Sequence, residues 1–516
     1  MYAIVICLLG ECQRYPSIFV GQMDKTEAYY HCNRPIAHLL GNSRSQLFAF
    51  DKTSRLYFFI ALNIDTSTLM TTNHYQVPIV GGGISGCALL YMLARYSHID
   101  SVALFEKYNH LAPLNSNARG NSQTLHCGDI ETNYTLEKAQ QVKRIAESVV
   151  NYSHIAEDAK PALHVFPKMV LGVGDQEVAY IRQRHDEFAE AFPYMSLWEA
   201  KQIAKIEPNV ALMNDQIRPE PIIASGCTDR ICAVDYGKLS HSFVHNAEKE
   251  SLSTQVHLNT KVDKIQQTGD HFTITAQGKT YTADYVVVSA GPHSLLFAHR
   301  MGYGLEYSVL PIAGSFYFIP KKVNGKVYTV QNDKLPFAAI HVDPDVTEPD
   351  LSRLGPTALI LPKLERYKPG SIREFLEALK PNSRVVKVFW DLFKDPTIRS
   401  YMIKNMLFEV PFVRKRLFLK DAQKIIPSLK LSDLQYARGI GGLRPQVIDR
   451  AAGQLKLGAA TINPDKAILF NLTPSPGATN CLGNAYLDAL EVTRHLGVTF
   501  KQDQVVDELF NGQDIR

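Results

Sequence analysis

The chain of 516 residues is 45% hydrophobic and 21% charged, with a formal net charge of +4. A chain of this length exceeds one ordinary core and predicts two or more globular domains. So small a positive charge does not favour nucleic acid as a partner, and no run reaches the ~18 to 20 apolar residues that cross a bilayer. The eight cysteines are scattered without metal-ligand spacing, so we expect free thiols in a reducing compartment and no metal site.

Residues 1–70 differ from the rest because they are loop-like and lack sustained periodicity. They hold six basic and five acidic residues, whereas a mitochondrial presequence is poor in acids. We expect an N-terminal extension that is poorly structured or directs targeting, and a true start at Met70 is the alternative.

Residues 76–107 are organised as strand, glycine turn, helix, strand and acid. The apolar run Val77–Val80 leads into three glycines, apolar residues recur at helical spacing over Cys87–Tyr96, and Ser101–Phe105 forms a second strand. Pro78 is unusual in a central strand because proline donates no ladder hydrogen bond, so we expect it at the first paired position.

The glycine turn has the spacing Gly81-x-Gly83-x-x-Gly86, and Glu106 follows 20 residues after the last glycine. In a dinucleotide-binding unit the first glycine permits the turn, the second lets backbone approach a pyrophosphate, and the third lets helix and sheet pack closely. An acid at this distance accepts from a ribose hydroxyl. Because strand, helix and acid agree with the glycine spacing, the sequence predicts a dinucleotide site; an ordinary glycine-rich turn is the alternative.

A polar segment, residues 111–139, follows the second strand and is dense in Asn, Ser, Gly and Thr. Such residues can line a cofactor, and the alternative is a polar surface loop. Asp235 is then placed to cap a helix that runs through Glu250. A strand-like meander follows and returns to the apolar strand Tyr285–Ser289, as a nucleotide-binding half needs to close over its ligand.

The second half of the chain predicts an antiparallel sheet, with strands over 310–320 and 326–331. Near the end, the strand 468–472 enters the turn 473–479, and a helix then runs to about His495. A Gly/Pro turn that leads into a helix N-terminus is a second potential anion cradle.

With these pieces in place, the sequence resembles the malate:quinone oxidoreductases, which belong to the flavoproteins similar to D-amino-acid oxidase. The resemblance runs from about Val77 to the C-terminus. It is carried by the stretches GGGISG, NSNARGNSQTLHCGDIETNYTLEKA, LPFAAIHVDPD, RLGPTALILPKLER, GGLRPQVIDR and FNLTPSPGATNCLGNA. Residues 121–128 also resemble the NSxxxHxG segment of L-2-hydroxyglutarate dehydrogenases.

The resemblance implies an α/β fold in which an FAD-binding Rossmann-like domain is interleaved with an antiparallel-sheet substrate domain. We expect residues 71–150, 222–300 and 435–500 to form the FAD-binding domain. Residues 151–221 and 301–434 are expected to form the substrate and quinone side.

The activity that the resemblance implies is oxidation of L-malate to oxaloacetate by hydride transfer to FAD, with electrons passed to a membrane quinone. Such an enzyme serves the tricarboxylic acid cycle and the respiratory chain. The last helix would point its positive end at the flavin and stabilise the reduced form. The residues expected at FAD are Gly81, Gly83, Gly86, Glu106, Lys107, Asn121, Ser122, Val262, Gly291, Gly442, Pro476, Gly477, Ala478 and Thr479.

The substrate hydroxyl needs a base to accept its proton. The first candidate is His341 with Asp343, because a carboxylate fixes the tautomer of the histidine that it orients. His126 is the alternative, since its segment is expected near the flavin. A surface or structural role stays the default for any one of the seventeen histidines.

Malate carries two carboxylates, so its pocket needs at least two fixed cations. Arg444 is the first candidate, because its fork binds a carboxylate bidentately; a structural salt bridge is the alternative. Arg366 and Arg438 are candidates for the second cation, and Gln123 is a further expected substrate ligand.

Residues 399–430 combine eight basic residues with two acids, Glu409 and Asp421, and with interleaved Met, Leu and Phe. This composition favours an interfacial anchor on anionic lipid, and a solvated helix that covers core is the alternative. We therefore expect a peripheral protein of the mitochondrial inner membrane or, alternatively, of the cytoplasmic face of a bacterial inner membrane.

Two other functions stay open. An L-2-hydroxyglutarate dehydrogenase, or an oxidase that uses oxygen, would keep the cofactor and change the substrate or the acceptor. A non-catalytic binding module that reuses the flavoprotein fold would be colourless when purified.

Overall fold

The structure is a computed structural model that describes residues 2–6, 18–22, 73–331, 339–456, 460–473 and 476–516. The first 73 residues form one unit, in which the strands Tyr2–Ile6 and Ile18–Gln22 pair antiparallel. The rest of the predicted N-terminal extension, with the targeting role expected of it, lies outside the described residues. The second unit comprises His74–Arg516.

A six-stranded central sheet carries the predicted nucleotide-binding unit. Its first five strands are parallel and the sixth is antiparallel. In spatial order the strands are Thr254–His257, Val102–Phe105, Val77–Val80, Val286–Val288, Ile468–Leu472 and Ala460–Ile462. Every side chain of the strands at 77, 102 and 286 is buried, which explains why these segments are apolar runs rather than alternating patterns.

Pro78 lies inside a strand that has neighbours on both sides. Val77–Val80 pairs with Val102–Phe105 over its whole length, whereas its pairing with Val286–Val288 begins only at Ile79. The proline therefore precedes the first paired position on that second side, where its missing amide is tolerated.

Three helices pack together on the central sheet. They are Ile84–Tyr96, Tyr236–Glu250 and Cys481–Leu496, and their apolar faces share one core. Asp235 caps the second helix as predicted, accepting a hydrogen bond from the Lys238 amide at 3.1 Å. The second and third helices bury one apolar face, whereas Ile84–Tyr96 is buried on nearly all sides, as its continuous apolar sequence requires.

The remaining sheets lie outside this nucleotide-binding layer. A four-stranded sheet contains Val262–Thr268, His271–Ala276, Lys279–Ala283 and His74–Tyr75, and another contains Leu359–Ile360, Tyr307–Ala313, Leu443–Asp449 and Gln454–Lys456. An eight-stranded sheet has the order Gln435–Tyr436, Tyr317–Pro320, Leu351–Gly355, His341–Pro344, Lys326–Thr329, Lys168–Val173, Ile222–Cys227 and Ser196–Glu199. Two-stranded ladders join Leu163–Val165 to Ile231–Val234 and Leu212–Met213 to Gln216–Ile217.

The other helices surround these sheets. They are Leu136–Ile155, Asp175–Phe188, Ala200–Ile206, Pro208–Ala211, His293–Arg300, Ser371–Leu379, Ser383–Lys394, Pro396–Leu407, Arg414–Ala422 and Gln502–Phe510, with a 3-10 turn at Glu157–Ala162. Among the helices of the described ranges, none combines the length and the hydropathy that a membrane span requires.

The strand partners bear on the predicted domain division. The eight-stranded sheet combines strands from both predicted substrate-side ranges with Ile222–Cys227 and Gln435–Tyr436, which open the two predicted FAD-binding ranges 222–300 and 435–500. Leu443–Asp449 pairs with Tyr307–Ala313 rather than with the central sheet. The two layers are interleaved along the chain, and the domain boundaries themselves stay a prediction.

Candidate active site

A cavity of about 960 Å³ opens along one edge of the central sheet. Its lining includes residues that directly follow four of the parallel strands, namely Gly81, Glu106, Ser289 and Thr473. Ligands of open α/β sheets bind at the carboxyl ends of strands, and ligand pockets commonly measure ~300 to 1,000 Å³. The cavity is therefore the main candidate site.

The three positions of the glycine turn favour glycine for different structural reasons. Gly81 has φ +116°, and a Cβ there would lie 2.4 Å from the Ser289 carbonyl oxygen; a Cβ on Gly86 would lie 2.0 Å from the Gly81 carbonyl oxygen. A Cβ on Gly83 would meet only the Ser116 Oγ, at 3.2 Å, and Gly83 lines the cavity. Packing within the protein thus requires the outer two glycines, whereas the open space above Gly83 and the helix that starts at Ile84 fits a pyrophosphate.

Glu106 and Lys107 follow the strand Val102–Phe105 and line the cavity. Both are residues that the sequence predicts at the cofactor. The Glu106 carboxylate accepts from the Gly82 amide at 2.8 Å and from the Tyr108 amide at 2.9 Å. Each carboxylate oxygen keeps a free lone-pair direction, which suits a ribose hydroxyl. Lys107 instead pairs its Nζ with the buried Glu365.

The polar segment is held by a buried ion pair on the eight-stranded sheet. Arg353 pairs with Asp345 and donates to the carbonyl oxygens of Ala118 at 3.0 Å and Asn121 at 2.7 Å. Asn121 and its neighbour Ser122 line the cavity. The motif pieces HVDPD and RLGPT therefore contribute side chains that brace the cofactor-facing loop.

The other residues expected at FAD line the same cavity. They are Val262, Gly291, Gly442, Pro476, Gly477, Ala478 and Thr479. The Thr479 hydroxyl accepts from the His126 amide at 3.1 Å and lies 3.0 Å from the Tyr236 hydroxyl. These contacts tie the turn before the last helix to the polar segment, although residues 474–475 of that turn lie outside the described ranges.

Arg444 lines the cavity without a counter-ion. No hydrogen bond or ion pair involves its guanidinium among the residues that the structure describes. Burial lowers the pKa of Arg444 below its ordinary value, against the opposing influence of Tyr328, Tyr401 and Tyr134. Arg444 is half-buried and has no anionic partner among the described residues, so its guanidinium fits a carboxylate ligand better than the alternative, a structural salt bridge.

The two predicted bases lie in different surroundings. His126 lines the cavity, and its Nδ1 lies 2.7 Å from Glu131 Oε1, whose other oxygen accepts from the Gly128 amide at 2.9 Å. The Nδ1 is the donor because a carboxylate only accepts. The Nε2 of His126 is then left free to accept a proton.

His341 is buried and is not among the residues that line the cavity. Its ring stacks on Tyr328 at 4.1 Å between centroids, and its Nε2 lies 3.3 Å from Asp343 Oδ2. Burial would raise the pKa of Asp343, yet Lys326 and His341 hold it below its ordinary value. The catalytic roles of His341 and Asp343 stay predictions, in a position one layer behind the cavity wall.

The other predicted substrate ligands already have partners. Arg366 lines the cavity but donates to the Gly314 carbonyl oxygen and to the Ser315 Oγ. Gln123 is buried and does not line the cavity; its amide nitrogen donates to Asp345 Oδ1 at 3.3 Å and its oxygen accepts from the Val346 amide at 3.0 Å. Arg438 is exposed and lies outside the cavity lining.

Sequence reasoning missed several residues of this site. The three tyrosines around Arg444 come from distant segments, and no spacing in the sequence connects them. Glu131 could have been predicted as a partner of His126, because it is an acid five residues after that candidate base within one motif.

One cluster on the cavity wall has the composition of a metal site. His293, Glu365 and Glu374 offer ligand atoms within 4.8 Å of one another. The Glu365 carboxylate, however, already contacts the ammonium groups of Lys107 and Lys368. Because these cations balance its charge, we do not assign a metal there.

Solved structures of other proteins share this fold. The L-alpha-glycerophosphate oxidase of Mycoplasma pneumoniae, solved with FAD bound, superposes with a TM-score of 0.56 at 18% identity and covers 83% of this chain and 96% of its own. The glycine oxidase of Geobacillus kaustophilus gives a TM-score of 0.56 at 17% identity, with 82% and 95% covered. The architecture is that of the D-amino-acid-oxidase-like flavoproteins, which confirms the predicted fold class.

The sequence comparisons narrow the class to a family. The family model for malate:quinone oxidoreductase matches residues 73–507. The probable malate:quinone oxidoreductase of Campylobacter jejuni is 50% identical, covering 85% of this chain and 100% of that protein, and the malate:quinone oxidoreductase of Helicobacter pylori is 45% identical, covering 84% and 98%. The chain belongs to the malate:quinone oxidoreductase family, as the resemblance implied.

Proposed function

We propose that this protein oxidises L-malate to oxaloacetate and passes the two electrons to a membrane quinone, with FAD as its resident cofactor. The observation that supports this most directly is Arg444, a half-buried cation of the cavity wall without an anionic partner among the described residues. A dicarboxylate substrate supplies that partner. Family membership supplies the class of donor and acceptor.

FAD, when bound, supplies the hydride acceptor for the substrate carbon. The amides at the start of helix Ile84–Tyr96 would hold its pyrophosphate, above Gly83, and Glu106 would accept from its ribose. Ala478 and Thr479 would face it from the other end of the cavity.

The chain's own residues bind the substrate and move its proton. Arg444 grips one carboxylate with two parallel hydrogen bonds, which fixes the carbinol carbon within the cavity. His126 accepts the hydroxyl proton at Nε2, because Glu131 keeps the proton on Nδ1 and stabilises the imidazolium that forms. His341 with Asp343 stays the alternative base, and Arg366 the proposed second carboxylate ligand.

The competing functions differ in substrate and acceptor. An L-2-hydroxyglutarate dehydrogenase would bind a dicarboxylate one methylene longer, and an oxidase would reduce oxygen. Turnover of a soluble dye with L-malate, L-2-hydroxyglutarate and L-lactate separates these cases. We expect L-malate to give the highest kcat/KM, and a preference for L-2-hydroxyglutarate would overturn the proposed substrate. Colourless protein would return the chain to the class of binding modules.

We propose that a basic and apolar surface near residues 399–430 contacts the membrane. Trp390, Phe393, Met406 and Phe412 are exposed, the last to 94%, and they lie among the basic side chains of the neighbouring helices. Large exposed apolar patches mark interaction sites, and lysines and arginines beside them favour anionic lipid. The surface begins earlier in the chain than the sequence predicted, because helix Ser383–Lys394 contributes to it.

Charge reversal tests this surface. Lys415, Arg416 and Lys420 are changed together to Glu, while Arg414 is kept because its guanidinium stacks 3.9 Å over the Tyr436 ring. We expect the variant to leave anionic liposomes at low salt, since each basic residue near the surface contributes ~1 kcal/mol.

The matched control for this variant reverses three lysines outside residues 383–430. Lys201, Lys264 and Lys279 are exposed, and their change to Glu makes the same change in net charge. If both variants bind liposomes alike, residues 399–430 are an ordinary solvated surface.

The location follows from the acceptor in this proposal: a membrane that carries quinone. The relatives named above are bacterial proteins, which favours the cytoplasmic face of a bacterial inner membrane over the mitochondrial inner membrane that we first expected. Fractionation of the source cells, with immunodetection of the protein, decides between them.

A further inference from the structure

Glu409 is an acid inside the basic segment, and it is held in an unusual way. Its Oε1 accepts from the hydroxyls of Ser315 and Thr357, and its Oε2 accepts from the Tyr436 hydroxyl at 3.0 Å. Among the described residues no cation lies within 4 Å of its carboxylate, whereas the other acid of the segment, Asp421, pairs with Lys404 at 2.6 Å. The hydrogen bonds that the structure gives this carboxylate therefore come from neutral hydroxyls and not from a cation.

On its inner side, Glu409 contacts the wall of the cavity. Ser315 and Thr357 are buried, and each is adjacent in the chain to residues that line the cavity, namely Gly314, Phe316 and Pro356. The Ser315 Oγ also accepts from the Arg366 guanidinium, whose side chain lines the cavity. One buried hydroxyl therefore separates a cavity residue from the Glu409 carboxylate.

On its outer side, Glu409 is surrounded in sequence by exposed apolar residues. Met406 is 59% exposed, Val410 43% and Val413 40%. Exposed apolar side chains thus flank the residue that contacts Ser315 and Thr357, and the basic residues Arg414, Lys415 and Arg416 follow directly in the chain. A lipid-soluble acceptor that arrives from a bilayer fits such a surface.

We propose that the quinone head group binds at the surface formed by Met406, Val410 and Val413, and that Glu409 gives it a proton. This inference rests on the proposed function, which supplies a quinone as acceptor. Electrons reach the quinone across the wall formed by Gly314, Phe316 and Pro356, and the Glu409 proton goes to a quinone oxygen as that oxygen gains charge.

Protons and electrons balance in this reaction. Oxidation of the carbinol releases a hydride and a proton, which together carry two electrons and two protons. Conversion of the quinone to quinol takes up two electrons and two protons and forms two O–H bonds. Glu409 takes up one of these protons from solvent at the membrane surface, or through the hydroxyls of Ser315 and Tyr436, and passes it to one quinone oxygen. The second proton reaches the other quinone oxygen from solvent.

The test compares two acceptors with malate as the donor. Decylubiquinone takes two electrons and two protons, whereas ferricyanide takes one electron and no proton. In Glu409→Gln, we expect the ratio of quinone to ferricyanide turnover to fall by at least ~100-fold, the lower reach of a positioned acid. We expect kcat with the quinone to fall, while the affinity for decylubiquinone is retained. That affinity is measured from the quenching of the fluorescence of the exposed Trp390. Asp391→Asn, a change of an exposed acid on the neighbouring helix, is the matched control and keeps the wild-type ratio.

A second variant separates proton transfer from structural support. In Glu409→Ala, added formate supplies a small acid, so the quinone-to-ferricyanide ratio rises with formate concentration if Glu409 acts through its proton. An unchanged ratio in Glu409→Gln, or the absence of formate rescue in Glu409→Ala, overturns the inference and leaves the proposed function standing. Failure of the wild-type protein to reduce either acceptor with malate overturns the proposed function itself.

Discussion

The Nδ1 of His126 lies 2.7 Å from Glu131 Oε1, at a position where the imidazole also lines the cavity. This pair gives His126 a fixed tautomer and a counter-ion for the charge that it acquires as a base. We expect His126→Ala to slow flavin reduction by malate ~100- to 10,000-fold, the usual reach of a general base. Glu131→Gln removes the counter-ion but keeps an acceptor, so we expect a smaller loss. Anaerobic stopped-flow reduction measures both.

His341→Ala is the comparison for that experiment. His341 is buried and stacked on Tyr328 behind the cavity wall, so its loss should affect stability more than the rate of reduction. Wild-type reduction by His126→Ala, together with slow reduction by His341→Ala, would assign the base to His341.

Arg444→Lys keeps the positive charge but loses the guanidinium group, which can donate two parallel hydrogen bonds to one carboxylate. We expect malate binding to weaken by ~1.5 to 3 kcal/mol, the range for a charge-assisted hydrogen bond. Flavin content should stay normal, because the Arg444 side chain is assigned to the substrate. Arg438→Lys, on an exposed side chain outside the cavity, is the control. Equal malate affinity in the two variants would remove Arg444 from the substrate site.

Gly83→Val should give folded but colourless protein. The added Cβ meets only the Ser116 Oγ within the protein, so we expect the valine side chain to occupy the space of the cofactor's pyrophosphate. The control is Gly370→Val, where a Cβ meets nothing within 4 Å and the residue has φ −60°. Full flavin retention by Gly83→Val, measured from the visible spectrum per mole of protein, would contradict the assigned cradle.

Asp488 should make the protein less stable as the pH rises. Burial raises its pKa to about 7, and the Asn471 amide only partly opposes the shift. Because the folded-state pKa lies above the unfolded value of ~3.9, the stabilising contribution is complete below pH ~4 and is lost as the pH rises through about 7. At ~1.36 kcal/mol per pKa unit the loss approaches ~4 kcal/mol.

The isosteric variant Asp488→Asn checks this. It cannot ionise and keeps an oxygen for the Asn471 amide that now donates to Asp488. We expect its urea midpoint to exceed that of the wild type at pH 8 by clearly more than it does at pH 5. A difference that is the same at both pH values would show that Asp488 does not titrate in this range.

The part of the fold that local chemistry dictates could be predicted from the sequence. Gly81 and Gly86 are required by contacts within a single strand–turn–helix unit, and Asp235 caps the helix that directly follows it. Strand partners were harder, because the Ile222–Cys227 run can pair in either large sheet by its pattern alone. Its place between Lys168–Val173 and Ser196–Glu199 depends on long-range contacts.

The roles of individual site residues were also difficult to predict from the sequence. The sequence predicts Gln123 and Lys107 as ligand contacts, and the structure shows that both also have protein partners, in Asp345 and Glu365. A polar side chain in a motif has the same letter whether it braces a loop or binds a ligand, so the sequence could not separate these roles. The absence of a partner for Arg444 among the described residues is likewise visible only in three dimensions.

The most direct measurement is the visible spectrum of the purified protein under anaerobic conditions, recorded before and after addition of L-malate and again after addition of decylubiquinone. We predict the oxidised flavin spectrum at the start, its bleaching by L-malate but not by L-lactate, and its return with the quinone. Colourless protein, or flavin that L-malate does not bleach, would contradict a malate:quinone oxidoreductase activity.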